Sequence, residues 1–173
     1  EAPPKTVFLV LPEDPTVPTI AKLFQGFRSA LSDGWAGPVR IDVEYLDVSL
    51  IDAPEKERQL RAWYLVKYRD QRPDAVVVVE ADMIAFLLDL RAALWPDVPL
   101  VFAAESESTA AALPKAPRMT GLWAHFDARG TVEAALRLLP ATRRVAVVCG
   151  AEAWEALFCR HGVAQLAPLR DRV

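Results

Sequence analysis

Residues 72–82 read RPDAVVVVEAD, and this stretch decides the fold. From Ala75 to Val79 there is no alternation of apolar and polar residues, only β-branched side chains behind a small first residue. A strand of that kind is buried on both faces, the pattern of a parallel sheet sandwiched between helices. It ends abruptly on Glu80 and Asp82, so carboxylates stand where a covered strand meets its next loop.

The flanking sequence extends the same pattern. Lys5 to Leu11 (KTVFLVL) is a second strand, followed by the helical stripe Ile20, Leu23, Phe24, Phe27, Leu31, which SDGWAGP terminates. Val39 to Leu46 alternates and reads as a half-exposed strand. Asp52, Pro54 and Glu55 form a helix-start signature. Met83, Phe86, Leu87, Leu90 and Leu94 mark the next helix, PLVFAA (99–104) a fourth strand and MTGLWA (119–124) a fifth. Val132, Ala135, Leu136 and Leu139 indicate another helix. RVAVVCG (144–150) is expected to be a strand, with a helix near 152–160. The fold class is therefore α/β, a doubly wound parallel sheet of the Rossmann-like or flavodoxin-like kind. Residues 1–140 form its lobe. Residues 141–173, entered through PATR (140–143), are either the crossing into a second lobe that is otherwise truncated or absent, or a sixth strand and helix added to the first sheet.

Composition narrows the function. With 173 residues, 53% of them hydrophobic and 25% charged, the chain has ample material for a core. A formal net charge of -3 and the lack of a Lys/Arg stripe argue against nucleic acid as a partner. No apolar run is long enough to cross a bilayer. The opening EAPPK is what a mature secreted chain looks like after cleavage behind a small residue, so an extracytoplasmic location is expected. Cys149 and Cys159, read as a strand end and a position two turns into a helix, are expected to lie too far apart to bridge.

In an open parallel sheet, ligands bind beyond the carboxyl ends of the strands. The residues expected there are Glu13 and Asp14 after the first strand, Glu80 and Asp82 after the third, Glu105, Ser106 and Ser108 after the fourth, and Trp123 at the fifth. Asp82, Ser106 and Asp127 also suit helix N-caps, whereas Glu80, Glu105 and Glu107 do not, because Glu is a poor N-cap. The edge is rich in carboxylates and hydroxyls, which suits an amine or a polyol. Helix N-termini nearby suit a carboxylate. Trp123 is placed to stack on a ligand. There is no phosphate loop, dinucleotide fingerprint, GxSxG elbow or HExxH motif, and Cys159 and His161 cannot share a helix face. His125 and Asp127 alone are thin support for a metal. No catalytic residue, metal or cofactor is expected. Against a receiver-like module, Glu80 stands where a phosphoacceptor Asp would be.

FQGFRSAL, VEYLDVS, KYRDQRPDAVVVV, PDVPLVFAA, TGLW with Asp127 following, and TVEAALRLLPATRRVAVVCG occur in that order. Together they resemble the ABC-type substrate-binding proteins with a type I periplasmic-binding-protein fold, especially the branch that forms the extracytoplasmic sensor region of membrane histidine kinases. The resemblance implies a non-catalytic receptor that closes on a small ligand, an amino acid or related zwitterion. It would be tethered to the membrane only through segments flanking this chain. The alternative it implies is the free or lipid-anchored binding component of an importer. Pairing with a second copy stays open.

Overall fold

The Ala75–Val79 run becomes β3, and its neighbours explain its composition. The computed structural model describes residues 3–14, 16–46, 54–80, 83–150, 153–170 and 172. Its strands are β1 (Lys5–Leu11), β2 (Val39–Tyr45), β3, β4 (Leu100–Ala104) and β5 (Met119–Trp123). They form one all-parallel sheet in the order β2-β1-β3-β4-β5. β3 has a neighbour on each side: Val78 aligns with Val10 of β1, and Val77 with Val101 of β4. Alternate side chains enter opposite layers. Val76 and Val78 join Phe8, Val10, Leu87 and Leu100 in one core, while Val77 and Val79 pack with Leu9, Leu11 and Ile20 in the other.

Helices close both layers, which makes the fold doubly wound. The helix α1 (Pro18–Gly34) lays Ile20, Leu23, Phe24 and Phe27 on the second layer, with Pro18 in its first turn, where the missing N–H costs nothing. On the other face lie α2 (Pro54–Lys67) and α3 (Ile84–Leu94), which bring Tyr64, Ile84, Phe86, Leu87 and Leu90 to the first layer. Phe8, Tyr68 and Trp95 meet edge to face there, with ring centroids 4.8 to 5.9 Å apart. The Trp95 indole donates to the Gln71 carbonyl at 2.6 Å. Arg91 of α3 is buried as well. Its guanidinium donates to the carbonyls of Val98 (3.1 Å) and Pro117 (2.9 Å), tying α3 to the turns that lead into β4 and β5. The six-residue helix α4 (Glu107–Ala112) joins β4 to β5.

The chain divides into one unit through Ala124 and a second from His125. The second consists of α5 (Ala128–Leu138) and α6 (Ala153–Leu166), followed by a 3-10 turn at Ala167–Leu169. Gln165 fastens the start of α5: its carbonyl accepts from Ala128 N–H at 2.8 Å and its amide donates to the Phe126 carbonyl at 2.7 Å. Phe126 and Phe158 pack edge to face at 5.7 Å.

Two expectations fail in this unit. Residues 144–150 are not a strand: among the described residues no strand pairs with them, and Val147 and Val148 stay exposed. Cys149 and Cys159 do bridge, at a Cα separation of 5.8 Å. The expected separation rested on a strand at 144–150; without that strand Cys149 lies within bridging distance of Cys159 on α6. Closing a loop of this size stabilises by about 2.5 kcal/mol in the chain-entropy picture. Reduction, or Cys149→Ser, is therefore expected to lower the stability of the second unit by about 2.5 kcal/mol, seen as a lower melting temperature, and leave the sheet untouched. Calorimetry with and without reductant checks this; superimposable traces would mean the bridge does not constrain the unit.

Candidate functional site

Strand order places the candidate site. From β1 the chain passes to β2 on one side, then crosses back past β1 to β3 on the other. The segments that leave β1 and β3 therefore diverge at the carboxyl edge, the place where open α/β sheets bind ligands. Glu13 and Asp14 follow β1, and Glu80 follows β3 directly. The Asp14 carboxylate accepts from the Thr16 hydroxyl at 2.6 Å and the Thr16 N–H at 2.8 Å. These two bonds hold its carboxyl below the usual carboxylate range. Asp14 thus shapes its own turn, and Glu13 stands exposed beside it.

Glu80 has a φ of 78°, in the left-handed region that a residue with a side chain seldom occupies. Its N–H donates to the Ala103 carbonyl at 2.9 Å, continuing the ladder to β4 while the backbone turns away from the sheet. Residues held this way cost on the order of 1 kcal/mol and cluster at ligand sites. A second left-handed residue, Arg118 (φ 55°), lies at the opposite end of the sheet. Its guanidinium donates to the Asp97 carbonyl at 2.6 Å, so its conformation serves the turn into β5. Position, not φ alone, distinguishes Glu80.

The rim continues over β4 and β5. Glu105 is half-buried at the end of β4. Ser106 is the N-cap of α4: its hydroxyl accepts from Thr109 N–H at 3.1 Å and lies 2.9 Å from the hydroxyl of Ser108. Trp123 closes β5 and is 48% exposed. Glu13, Glu80, Glu105 and Trp123 therefore all follow carboxyl ends of parallel strands, along one edge. Asp82 lies outside the described residues. Asp127 caps α5 through Gly130 N–H at 2.7 Å, within the second unit. Ser106 and Asp127 thus act as caps, and the glutamates do not.

A polar cluster that motif reading misses joins β2 to α2. The Glu44 carboxylate accepts from the hydroxyls of Tyr64 (3.1 Å) and Tyr68 and from the Lys67 ammonium. Partial burial works against its charge, but these donors and the Lys67 charge outweigh that and keep its carboxyl below the ordinary range. Burial and the Glu44 charge push both phenols up. Glu44 is satisfied on all sides, so its role is to lock α2 onto the edge strand. The signal was present as Tyr64, Lys67 and Tyr68 on one helix face. A dent of about 420 Å³ opens near the amino-terminal ends of β1 and β2, lined by Arg40, Asp42, Arg72 and Trp95 among others. It lies at the end of the sheet where open α/β folds do not seat ligands.

Among the described residues no three His, Cys, Asp or Glu side chains gather as a metal group, and no helix is long and apolar enough to cross a membrane. No protein-family model, curated protein or solved structure matches the chain.

Proposed function

We propose that the chain is an extracytoplasmic sensor domain of the periplasmic-binding-protein kind, which takes an amino acid or related amine at the carboxyl edge of its sheet. The observation that carries this reading is Glu80, held left-handed at the point where the strand order reverses. Glu13 and Glu105 on the same edge suit the ammonium group. α1, which starts at this edge without a side-chain cap, offers backbone amides to a carboxylate. The Cys149–Cys159 bridge favours an oxidising compartment. Ligand binding would bias the conformations of the domain and pass that bias to a kinase outside this chain.

The test is a melting-point screen of the purified chain against amino acids and amines. A ligand at one hundred times its Kd is expected to stabilise the fold by about 2.7 kcal/mol. Glu80→Gln keeps the shape and removes the charge, and is expected to weaken binding about tenfold or more with unchanged circular dichroism. If no compound in the panel shifts the melting point, or if Glu80→Gln and Glu105→Gln both bind like the wild type, the reading fails.

A further inference from the structure

β2 ends the sheet. It runs in unbroken register with β1 over all seven residues, and among the described residues no strand pairs with its outer side. Proteins usually protect such an edge with a proline, a bulge or a lysine. VRIDVEY has no proline, bulge or lysine; its only guard is charge, and Arg40, Asp42 and Glu44 are of mixed sign, so a partner of complementary pattern can pair with them. Its face toward α1 carries Ile41 and Val43, and its other face carries Arg40, Asp42 and Glu44.

Exposed aromatic side chains surround the same edge. Tyr45, the last residue of β2, is 39% exposed, and Trp35, just before the strand, is 48% exposed. The Trp35 indole lies over Gly37, its Nε1 2.7 Å from where a Cβ on that glycine would stand. Trp63 is 58% exposed, one helical turn before Lys67, which reaches Glu44 on β2. Tyrosine and tryptophan at a rim are what dominate protein–protein contacts.

We propose that this edge binds a second copy of the chain, β2 to β2 and antiparallel, about a two-fold axis at Ile41, so that one sheet runs through both copies. The charges select that register. It sets Arg40 of each copy opposite Asp42 of the other and Val39 opposite Val43. It also brings Gly37, with Trp35 above it, opposite Tyr45. An axis at Arg40 or at Asp42 would face like charges across the seam, which destabilises a cross-strand pair. Arg40 already holds its own Asp42 at 2.9 Å, so the pair builds an alternating cluster of two arginines and two aspartates. The interface is isologous and small, hence weak, with Kd on the order of tens of micromolar.

Sedimentation equilibrium on the full chain tests this, with Arg40→Asp and Asp42→Arg made separately. One variant carries only acidic side chains at the two positions, the other only basic ones. Each alone is expected to self-associate at least about tenfold more weakly than wild type. An equimolar mixture of the two is expected to pair as the wild type does, because every facing pair is then of opposite charge. The wild type remaining monomeric at about 0.5 mM, well above that Kd, overturns the proposal. So does association that the single variants leave unchanged, or a mixture that stays apart. Since the mixture combines the same two proteins, recovered pairing also excludes misfolding as the cause of the single defects.

Discussion

Val78→Asp is expected to abolish cooperative folding of the sheet. Val78 has no exposed surface and sits in β3 between β1 and β4, aligned with Val10 and Phe102. Its side chain packs in the layer formed by Phe8, Val10, Ile84, Leu87 and Leu100. The substitution removes about 1.5–3 kcal/mol of apolar burial. It also places a carboxylate in that layer, where an isolated polar group costs several kcal/mol more. A total of at least about 4 kcal/mol stands against a whole stability of about 5–15 kcal/mol for a domain. Circular dichroism against urea should lose its sigmoidal transition. Val77→Asp on the opposite face is the graded control: Val77 is only half-buried under α1, so its carboxylate keeps a path to water and the loss should be smaller. A folded Val78→Asp variant with an unshifted urea midpoint would mean that β3 is not central.

β3 could be read from sequence because its signal and its cause coincide. Five consecutive apolar residues need two covered faces, and a central strand in a helix-lined sheet supplies both. The 144–150 segment carries nearly the same chemistry and forms no strand. Side-chain pattern reports a wish for burial, whereas strand formation also needs a backbone partner, which no local pattern encodes. The spacing of Cys149 and Cys159 misleads for the same reason, since a long separation requires that strand. The caps at Ser106 and Asp127 were legible because capping spans three residues and uses few side-chain types. The location of Glu80 at a strand end was legible too. Its left-handed backbone was not, because such a φ is signalled by Gly or Asn and a glutamate gives no hint of it. Nor did any local pattern state the strand order, which alone makes the loops of β1 and β3 diverge and so sets Glu13 and Glu80 at the point where that order reverses.

The carboxyl edge also depends on how closely β5 approaches β4, and Gly121→Val tests the dependence. Gly121 aligns with Phe102, and a Cβ built on it would overlap both the ring and the carbonyl oxygen of Phe102. Its φ is not positive, so glycine serves here for close approach rather than for an unusual dihedral. The ring can move aside, but the oxygen belongs to the β4 backbone and can shift only by opening the ladder between the two strands. Gly121→Val is therefore expected to cost about 3 kcal/mol, at the upper end for overpacking. The damage should be directional. The bond from Ala124 N–H to the Ala104 carbonyl, 2.8 Å in the intact ladder, lies just beyond the overlap and should open first, releasing Trp123 and the turn at Glu105. Hydrogen exchange should accelerate at Leu122 to Ala124 while β1 and β3 stay protected, and any ligand affinity should fall together with that protection. Phe102→Leu in the same chain should recover only the part owed to the ring. Full recovery would show that the backbone contact does not matter, and an unchanged urea midpoint for Gly121→Val alone would show that β5 does not need its glycine.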